Sequence, residues 1–257
     1  MTRTYAISGS ASGIGLATRT RLEARGEHVI GIDVHDAEVV ADLSSREGRA
    51  AMVDGVKRAS GGALDAVISC AGIAAFDPVV VRVNYFGAVA TLEGLLPLLL
   101  QSASPRAVVI ASSSVVHPVD DEIVDACLAG DEERAAAAPD ASTPIVYASS
   151  KRAVARWVRR NAPTEAWAGA RIPLNAIAPG TVVTPLTAPL LGDAGAAAYI
   201  DQTVPMPLAG HASPENTQVT GQVIFIDGGA DVVLGSDDYW RSVEIPEFDV
   251  EIDLRAN

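Results

Sequence analysis

Short apolar segments alternate with longer amphipathic ones along the first half of the chain. The apolar segments are residues 5–8, 28–33, 64–69 and 107–111. Hydrophobic side chains at successive positions are typical of strands that are buried on both faces. Helical spacing fills residues 16–25, 45–60 and 79–101. Such strands alternating with helices predict a parallel sheet covered on both sides, which is an α/β, doubly wound Rossmann fold.

Residues 117–144 depart from this alternation, because they are rich in Ala and in acidic side chains. Asp120 is expected to cap a helix in which Ile123, Cys127 and Leu128 share one apolar face. We expect the acidic side chains of this segment on the protein surface. The segment therefore predicts a helical insertion before the next element of the fold.

The C-terminal residues 237–257 show a third pattern. From Phe248 to Leu254, apolar residues alternate with acidic ones, which is the period of a half-buried strand. This period predicts a strand-like C-terminal extension. No linker rich in Gly, Ser or Pro divides the chain, so we expect one domain over residues 1–257.

Composition narrows the classes of protein. Of the 257 residues, 49% are hydrophobic and 20% are charged, as in a folded globular protein. The formal net charge of −13 disfavours binding to nucleic acid or to anionic membranes, because both would repel the chain. We therefore expect no nucleic-acid partner and no membrane partner.

Cysteine usage and apolar runs indicate the compartment. Cys70 and Cys127 are too few for a disulfide framework, and no cluster of His and Cys indicates a metal site. The N-terminus lacks the apolar stretch of a signal peptide, and the apolar run Leu95–Leu100 is far too short to span a bilayer. These features predict a cytoplasmic protein without a metal.

A glycine turn with the spacing G-x3-G-x-G follows the first predicted strand and opens the first helix, at Gly9, Gly13 and Gly15. Glycine lets the backbone approach a pyrophosphate closely, and the helix N-terminus supplies N–H donors. Asp33 ends the second strand, 24 residues after Gly9. A carboxylate there binds the adenosine ribose hydroxyls and repels a 2′-phosphate, which favours NAD(H) over NADP(H). An ordinary tight turn, with Asp33 capping a turn, is the alternative interpretation.

Tyr147 and Lys151 lie four residues apart, on one face of a predicted helix. A phenol pKa near 10 is too high for a base at neutral pH, so we expect the ammonium to lower the pKa of Tyr147. Tyr147 could then exchange a proton with an alcohol. Ser112, chosen over Ser113 and Ser114 because it directly follows a strand, would hold the carbonyl oxygen. An exposed helix pair is the alternative interpretation of Tyr147 and Lys151.

In this order along the chain, the motifs resemble those of the short-chain dehydrogenase/reductase family over about residues 4–230. Further matches are Asp42-Leu43, Cys70-Ala71-Gly72, Asn84 within Val83–Gly87, Asn175–Gly180 and Asp227-Gly228-Gly229. The resemblance implies a catalytic set of Ser112, Tyr147, Lys151 and Asn84, in which Asn84 anchors a water that connects Lys151 to solvent. It implies that the cofactor contacts Gly9, Ser12, Gly13, Ile14, Gly15, Asp33, Asp42, Leu43, Cys70, Ala71, Gly72, Tyr147, Lys151, Pro179, Gly180, Val182 and Thr184.

Within the family, the chain most resembles the branch of bacterial 3α-hydroxysteroid dehydrogenase/carbonyl reductases, which have a similar insertion and a Cys at the position of Cys70. This implies an NAD-dependent oxidoreductase that interconverts a secondary alcohol and a ketone. The implied substrate is small, bulky and apolar, such as a steroid, an alicyclic or a terpenoid alcohol. Residues 185–210 are expected to form a lid over it. A non-catalytic NAD(H)-sensing protein is the alternative function, whereas a serine hydrolase is excluded by the absence of G-x-S-x-G.

Two departures from the family pattern concern assembly. The insertion at residues 117–144 is expected to emerge near the mouth of the active site and to obstruct a helix face that many members use to form tetramers. The segment from Pro214 to Thr220 is too short for the helix that the family places before its last strand. We therefore expect residues 237–257 to cover the surface left exposed. A homo-oligomer is expected, with a dimer favoured over a tetramer.

Overall fold

The computed structural model describes residues 2–192 and 223–226. Within them the chain forms a seven-stranded sheet in which every hydrogen-bonded neighbour is parallel. The strand order is β3-β2-β1-β4-β5-β6-β7. The strands are β1 (Thr4–Ser8), β2 (His28–Asp33), β3 (Val39–Val40), β4 (Ala66–Ser69), β5 (Arg106–Ile110), β6 (Leu174–Pro179) and β7 (Val223–Ile226). The order reverses between β1 and β4, which is the switch point of a doubly wound fold.

Helices connect the strands of the sheet. The α-helices are α1 (Gly13–Glu23), α2 (Arg46–Ala59), α3 (Val79–Val81), α4 (Ala88–Leu99), α5 (Asp121–Leu128), α6 (Glu132–Ala137), α7 (Ile145–Asn161) and α8 (Ala188–Leu191). Two π-helical segments, Arg82–Gly87 and Glu165–Gly169, and two 3-10 turns, Ser113–Val116 and Pro139–Ser142, complete the described helical structure. The predicted α/β, doubly wound Rossmann fold is confirmed.

Both faces of the sheet are buried. On one face of the sheet lie Ile30, Ile32 and Val67, and on the other lies Ile7. All four side chains have almost no exposed surface. Because neither face meets solvent, the strands lack the alternation of polar and apolar residues seen in one-sided sheets. The uninterrupted apolar segments of the sequence follow directly from this burial.

The predicted elements in the first half of the chain match the structure to within about three residues at each boundary. The strand at residues 28–33 is matched at both ends. β3 was not predicted, because a two-residue strand leaves no measurable period in the sequence. The predicted helix at residues 16–25 begins earlier, at Gly13, because the glycine turn passes directly into α1.

The insertion at residues 117–144 folds as two short helices, α5 and α6, followed by a 3-10 turn. As predicted, the Asp120 side chain caps α5 by accepting a hydrogen bond from the Glu122 N–H at 2.7 Å. Ile123 and Cys127 are fully buried on the apolar face of α5. The expectation that all acidic side chains of the insertion are exposed is wrong for Glu132, which is buried among arginines.

A continuous helical run covers Val79–Leu99 and consists of α3, the π-helical segment Arg82–Gly87 and α4. Among the described residues it is the one run that is long and apolar enough to cross a membrane by length and composition. The apolar run predicted at Leu95–Leu100 is therefore part of a longer one. Half of the run is buried, and α4 contacts α2 and β4, which is the environment of a core helix.

Several predictions fall on residues 193–222 and 227–257, outside the described part of the chain. They are most of the lid at 185–210, the shortened segment from Pro214 to Thr220, the motif Asp227-Gly228-Gly229 and the extension at 237–257. The single domain over residues 1–257 and the homo-oligomer also stay predictions.

Candidate active site

A crevice of about 370 Å³ runs along the carboxyl ends of β1, β2, β4, β5 and β6. Crossovers on opposite faces of the sheet leave such a crevice where the strand order reverses. Ser112 and every residue predicted to contact the cofactor line this one crevice. Asn84 is the one member of the predicted site that lies behind its wall.

The glycine turn after β1 forms the floor of the crevice at one end. Gly9 has a φ of +72°, and a Cβ there would lie 2.8 Å from the Ala71 backbone. A Cβ on Gly15 would lie 2.0 Å from the Gly9 carbonyl oxygen, so α1 begins directly against the turn. Glycine is therefore required at both positions by close backbone contact. These absent side chains are what leave the turn open to a ligand.

The N-terminus of α1 faces the crevice without a side-chain cap. Its N-cap residue, Ser12, makes no capping hydrogen bond, whereas Ser45, Asp120 and Asp131 cap α2, α5 and α6. The first N–H groups of a helix have no partner within the helix and carry the positive end of its dipole. An uncapped helix start beside a glycine turn fits an anionic group such as a pyrophosphate.

Asp33 lies at the end of β2, beside the glycine turn. Its Oδ2 accepts a hydrogen bond from the Ala11 N–H at 2.9 Å, and its Oδ1 accepts one from the Val34 N–H at 2.8 Å. These two bonds fix the carboxylate against the turn while it lines the crevice. A fixed carboxylate at this end suits an adenosine ribose with free hydroxyls. Asp33 thus connects β2 and the turn into one wall.

Ser8 organises the opposite wall from the end of β1. Its Oγ accepts hydrogen bonds from the Cys70 N–H at 3.1 Å and from the Ala71 N–H at 3.3 Å. These bonds hold the segment Cys70-Ala71-Gly72 close to the turn. Burial raises the pKa of the Cys70 thiol to about 11, so the group is a neutral thiol at neutral pH. Cys70 is accordingly a wall residue and has no role as a nucleophile.

Three side chains meet at the other end of the crevice. Ser112 follows β5 after one residue, while Tyr147 and Lys151 project from the first turns of α7. The Ser112 side chain acts on the Tyr147 phenol and lowers its pKa. The Lys151 Nζ lies 5.9 Å from the centre of the Tyr147 ring and donates a hydrogen bond to the Ile110 carbonyl at 2.9 Å. The competing residues Ser113 and Ser114 start a 3-10 turn and do not line the crevice.

The electrostatics of this trio differ from the sequence-based expectation. Burial raises the pKa of Tyr147, and the hydrogen bond with Ser112 acts against this rise. Burial also lowers the pKa of Lys151 to about 8. The expectation that the ammonium lowers the phenol pKa is therefore wrong for this structure, because removal of water from both groups is the larger effect. Of the groups that act on this phenol, the Ser112 side chain lowers its pKa.

Asn84 is fully buried on the π-helical segment Arg82–Gly87. Its Oδ1 accepts a hydrogen bond from the Ile73 N–H at 2.9 Å, and its Nδ2 donates to the Ile73 carbonyl at 3.0 Å and to Ser150 Oγ at 3.2 Å. A Cβ built on Gly72 would lie 3.3 Å from both Asn84 Oδ1 and Lys151 Nζ. The two groups thus face the same small space beside Gly72. The predicted water between them stays a prediction.

The segment after β6 closes the crevice above the glycine turn. A Cβ on Gly13 would contact the Thr184 side chain at 3.5 Å, so Thr184 faces the turn across the crevice. The Thr187 hydroxyl donates to the Val182 carbonyl at 2.5 Å and accepts from the Thr184 N–H at 3.0 Å. These bonds form a compact turn at the start of the predicted lid. Residues 185–192, which include α8, are the part of the predicted lid that the structure describes.

Sequence reasoning missed several contributors to the site. Ile73, Val83 and Leu186 line the crevice, and only their position next to recognised motifs could have indicated them. Arg152, on α7, donates hydrogen bonds to the carbonyls of Val115 and His117. It thereby fixes the loop that follows Ser112. No local pattern marks such a role, because the partner groups are backbone carbonyls of another element.

Comparisons with known proteins agree with this geometry. No protein-family model matches the chain. A 3-alpha-hydroxysteroid dehydrogenase/carbonyl reductase from Comamonas testosteroni is 40% identical over 251 residues, covering 89% of this chain and 96% of that protein. The chain belongs to the short-chain dehydrogenase/reductase family. It is accordingly an oxidoreductase, as the resemblance implied.

Solved structures of similar proteins have the same fold. The crystal structure of a 3-alpha-hydroxysteroid dehydrogenase from Pseudomonas sp. B-0831, in complex with NADH, superposes with a TM-score of 0.80 at 38% identity. The superposition covers 90% of this chain and 97% of the Pseudomonas chain. Levodione reductase superposes with a TM-score of 0.68 at 25% identity, over 90% of this chain and 98% of that one. The predicted family membership is confirmed.

Proposed function

We propose that the protein interconverts a secondary alcohol and a ketone with NAD(H) as the hydride carrier. One observation carries the proposal: Ser112, Tyr147 and Lys151 meet in the same crevice that the glycine turn and Asp33 line. A protein that only binds NAD(H) needs the glycine turn and Asp33 but not the other three side chains. Tyr147, which lines the crevice beside Ser112, adds a group that exchanges protons, which favours an enzyme over an NAD(H) sensor.

The residues of the crevice fit a dinucleotide without a 2′-phosphate. The glycine turn and the uncapped start of α1 would hold the pyrophosphate through backbone N–H groups. Asp33 would accept hydrogen bonds from the adenosine ribose, and its charge would repel a 2′-phosphate. Thr184 and Lys151 would contact the nicotinamide end. When bound, NAD⁺ supplies the hydride acceptor and NADH the hydride donor.

The proton chemistry falls to Tyr147. In alcohol oxidation its phenolate oxygen takes the proton of the substrate hydroxyl, and in ketone reduction the phenol returns it. Ser112 lies within hydrogen-bond reach of that phenol, so a substrate oxygen between them would contact both. Ser112 would donate to this oxygen and hold it in place. Lys151 would supply positive charge beside the phenolate when protonated.

An apolar substrate is supported by apolar side chains in the walls of the crevice. Ile73, Val83 and Leu186 line the crevice, and Leu186 is 41% exposed. Val183, in the same segment, is 79% exposed. Exposed apolar side chains beside a crevice favour a ligand that covers them. We therefore propose a bulky substrate such as a steroid, an alicyclic or a terpenoid alcohol.

The test is a turnover assay that follows NADH formation with a panel of steroid, alicyclic and terpenoid alcohols. The wild type should oxidise at least one alcohol with NAD⁺. Tyr147→Phe should lose about 10³-fold in kcat/KM, because the variant has no proton acceptor, and should keep its affinity for NAD⁺. Tight NAD⁺ binding with no turnover of any substrate would instead support the sensor.

A matched control is Tyr5→Phe. Tyr5 is also a buried tyrosine, but it lies near the start of β1 and outside the crevice. This variant removes the same hydroxyl from a different place and should turn over like the wild type. Full activity of Tyr147→Phe would contradict the proposed mechanism.

A further inference from the structure

The insertion at residues 117–144 carries a buried carboxylate that forms ion pairs with arginines from two other elements. Glu132, at the start of α6, has a side chain that is only 3% exposed. Its Oε2 accepts a hydrogen bond from Arg49 on α2 at 2.6 Å, and its Oε1 accepts one from Arg82 at 3.1 Å. The Arg49 side chain is itself 9% exposed. Glu132 is thus the central group of a desolvated ion cluster.

One arm of this cluster ends at the wall of the crevice. Arg49 uses its second terminal nitrogen, NH1, to donate to the Leu43 carbonyl at 3.0 Å. Leu43 is buried and lines the crevice together with Asp42. A guanidinium is planar and rigid, so the bond to Glu132 fixes the orientation of the nitrogen that holds Leu43. The position of this wall therefore depends on Glu132.

The other arm ends one residue from the same crevice. Arg82 begins the π-helical segment, and its neighbour Val83 lines the crevice. At the far end of the segment, a Cβ on Gly87 would lie 3.0 Å from Leu43 Cβ. Leu43 is therefore held through its carbonyl by Arg49 and packed through its side chain against the segment that Arg82 fixes. The contacts form a closed ring around one wall.

We propose that Glu132 is a positioning residue for the dinucleotide, acting through Arg49 on the Leu43 wall. This inference rests on the proposed function, since it assumes that the crevice binds NAD(H). The insertion then does more than extend the surface of the protein, because its one buried acid sets the shape of a wall formed by the loop before α2. Glu132 touches no reacting group and acts on affinity rather than on chemistry.

The test separates affinity from stability. We expect Glu132→Gln to raise the Kd for NAD⁺, measured by calorimetry, about tenfold, because loss of the charge-assisted bond frees Arg49. The kcat at saturating NAD⁺ should stay within about twofold of the wild type. The urea midpoint should fall, since removal of one partner leaves Arg49 buried without its counter-charge.

A double variant separates the change in NAD⁺ affinity from the fall in the urea midpoint. Arg49→Met with Glu132→Leu replaces the buried pair by apolar side chains of similar size, which is often neutral for stability. Arg82 keeps Glu133 as a partner at 3.1 Å. We expect a urea midpoint near that of the wild type with the Kd still raised about tenfold, because no group then holds the Leu43 carbonyl.

Glu133→Gln is the matched control. It removes the same charge from the adjacent residue, whose side chain is 72% exposed and pairs with Arg82 rather than with Arg49. In this variant Arg82 keeps Glu132 as its partner at 3.1 Å. Its Kd for NAD⁺ should equal that of the wild type. A wild-type Kd in Glu132→Gln, or a restored Kd in the double variant, would overturn the inference while the proposed function stands. Failure of the wild type itself to bind NAD⁺ would overturn both.

Discussion

The two ends of the crevice are built in different ways. At the adenosine end, the glycine turn and the start of α1 present backbone N–H groups, and glycine at positions 9 and 15 is required by contacts with other backbone atoms. At the catalytic end, side chains from the segment after β5, from α7 and from the π-helical segment meet, and of these Lys151 and Asn84 are buried. The adenosine end depends on the absence of side chains at two glycines. The catalytic end depends on side chains that several elements bring together.

This difference determines how each end responds to its surroundings. Backbone N–H groups keep their charge distribution at any pH, so the adenosine end is set once the turn has folded. Buried side chains change their proton affinity with the water around them, as the lowered pKa of Lys151 and the raised pKa of Tyr147 show. The catalytic end should therefore be sensitive to pH and the adenosine end to shape.

The largest expected effect concerns Lys151 and pH. Burial lowers the pKa of this amine to about 8, whereas the unfolded chain keeps the value of 10.5. Between these two pH values the unfolded state binds more protons, so the free energy of unfolding rises with pH. Relative to Lys151→Met, the wild type should gain roughly 2 to 3 kcal/mol of stability between pH 7 and pH 10. Urea denaturation of both proteins at each pH measures this gain.

Cys70 is the main complication of that experiment. Its raised pKa of about 11 makes it titrate with the opposite sign, and the Lys151 charge acts on that pKa, so its contribution cancels only in part in the difference between the two proteins. A difference between the two proteins that does not change with pH would show that Lys151 stays charged in the folded state. The contrast between the two ends would then disappear.

The next effect concerns the shape of the glycine turn. Gly15→Ala places a Cβ 2.0 Å from the Gly9 carbonyl oxygen, and backbone atoms on both sides leave it no room. We expect about 2 kcal/mol of destabilisation from this overpacking, together with weaker NAD⁺ binding. Thermal unfolding and calorimetry measure the two quantities. Lys151→Met, by contrast, should leave the turn unchanged.

Gly26→Ala is the control for Gly15→Ala. Gly26 has a φ of +80° and no atom within 4 Å of a Cβ position, and it lies after α1, away from the crevice. Its replacement strains the local backbone without a clash. The Kd for NAD⁺ should be that of the wild type. Equal losses of affinity in both variants would show that general destabilisation, rather than the shape of the turn, weakens binding.

The smallest effect tests Asp33, the carboxylate that is held against the glycine turn at the adenosine end. Asp33→Asn keeps an oxygen that accepts the Ala11 N–H bond but removes the negative charge. The preference for NAD⁺ over NADP⁺, measured as a ratio of Kd values, should fall about tenfold. Asp36→Asn removes the same charge from an exposed position in the next loop and should leave the ratio unchanged. An unchanged ratio in Asp33→Asn would indicate that backbone alone selects the cofactor.

What the sequence could predict follows the same division. The glycine turn and Asp33 are local patterns, and their spacing places them at strand ends without knowledge of tertiary contacts. Ser112, Tyr147 and Lys151 were recognised because family motifs mark them. Their convergence follows from the strand order, which the alternation of strands and helices already predicted.

Two features depend on distant contacts and left no sign in the sequence. The sequence does not distinguish Glu132 from the other acidic residues of its segment, because its partners Arg82 and Arg49 lie 50 and 83 residues away. The direction of the Tyr147 pKa shift was predicted wrongly because it depends on burial, which the spacing of Tyr147 and Lys151 does not reveal. Long-range contact and local dielectric are the two quantities that a single sequence leaves open.

The π-helical segment Arg82–Gly87 has a consequence for how this chain tolerates insertions and deletions. A π-helix fits one more residue into a turn than an α-helix does. Loss of a single residue there would restore regular α-helix and rotate everything before it by about 100° relative to α4. Asn84 would then leave its place beside Ile73. A substitution in this segment changes one side chain, whereas a one-residue length change alters which side chain faces Lys151.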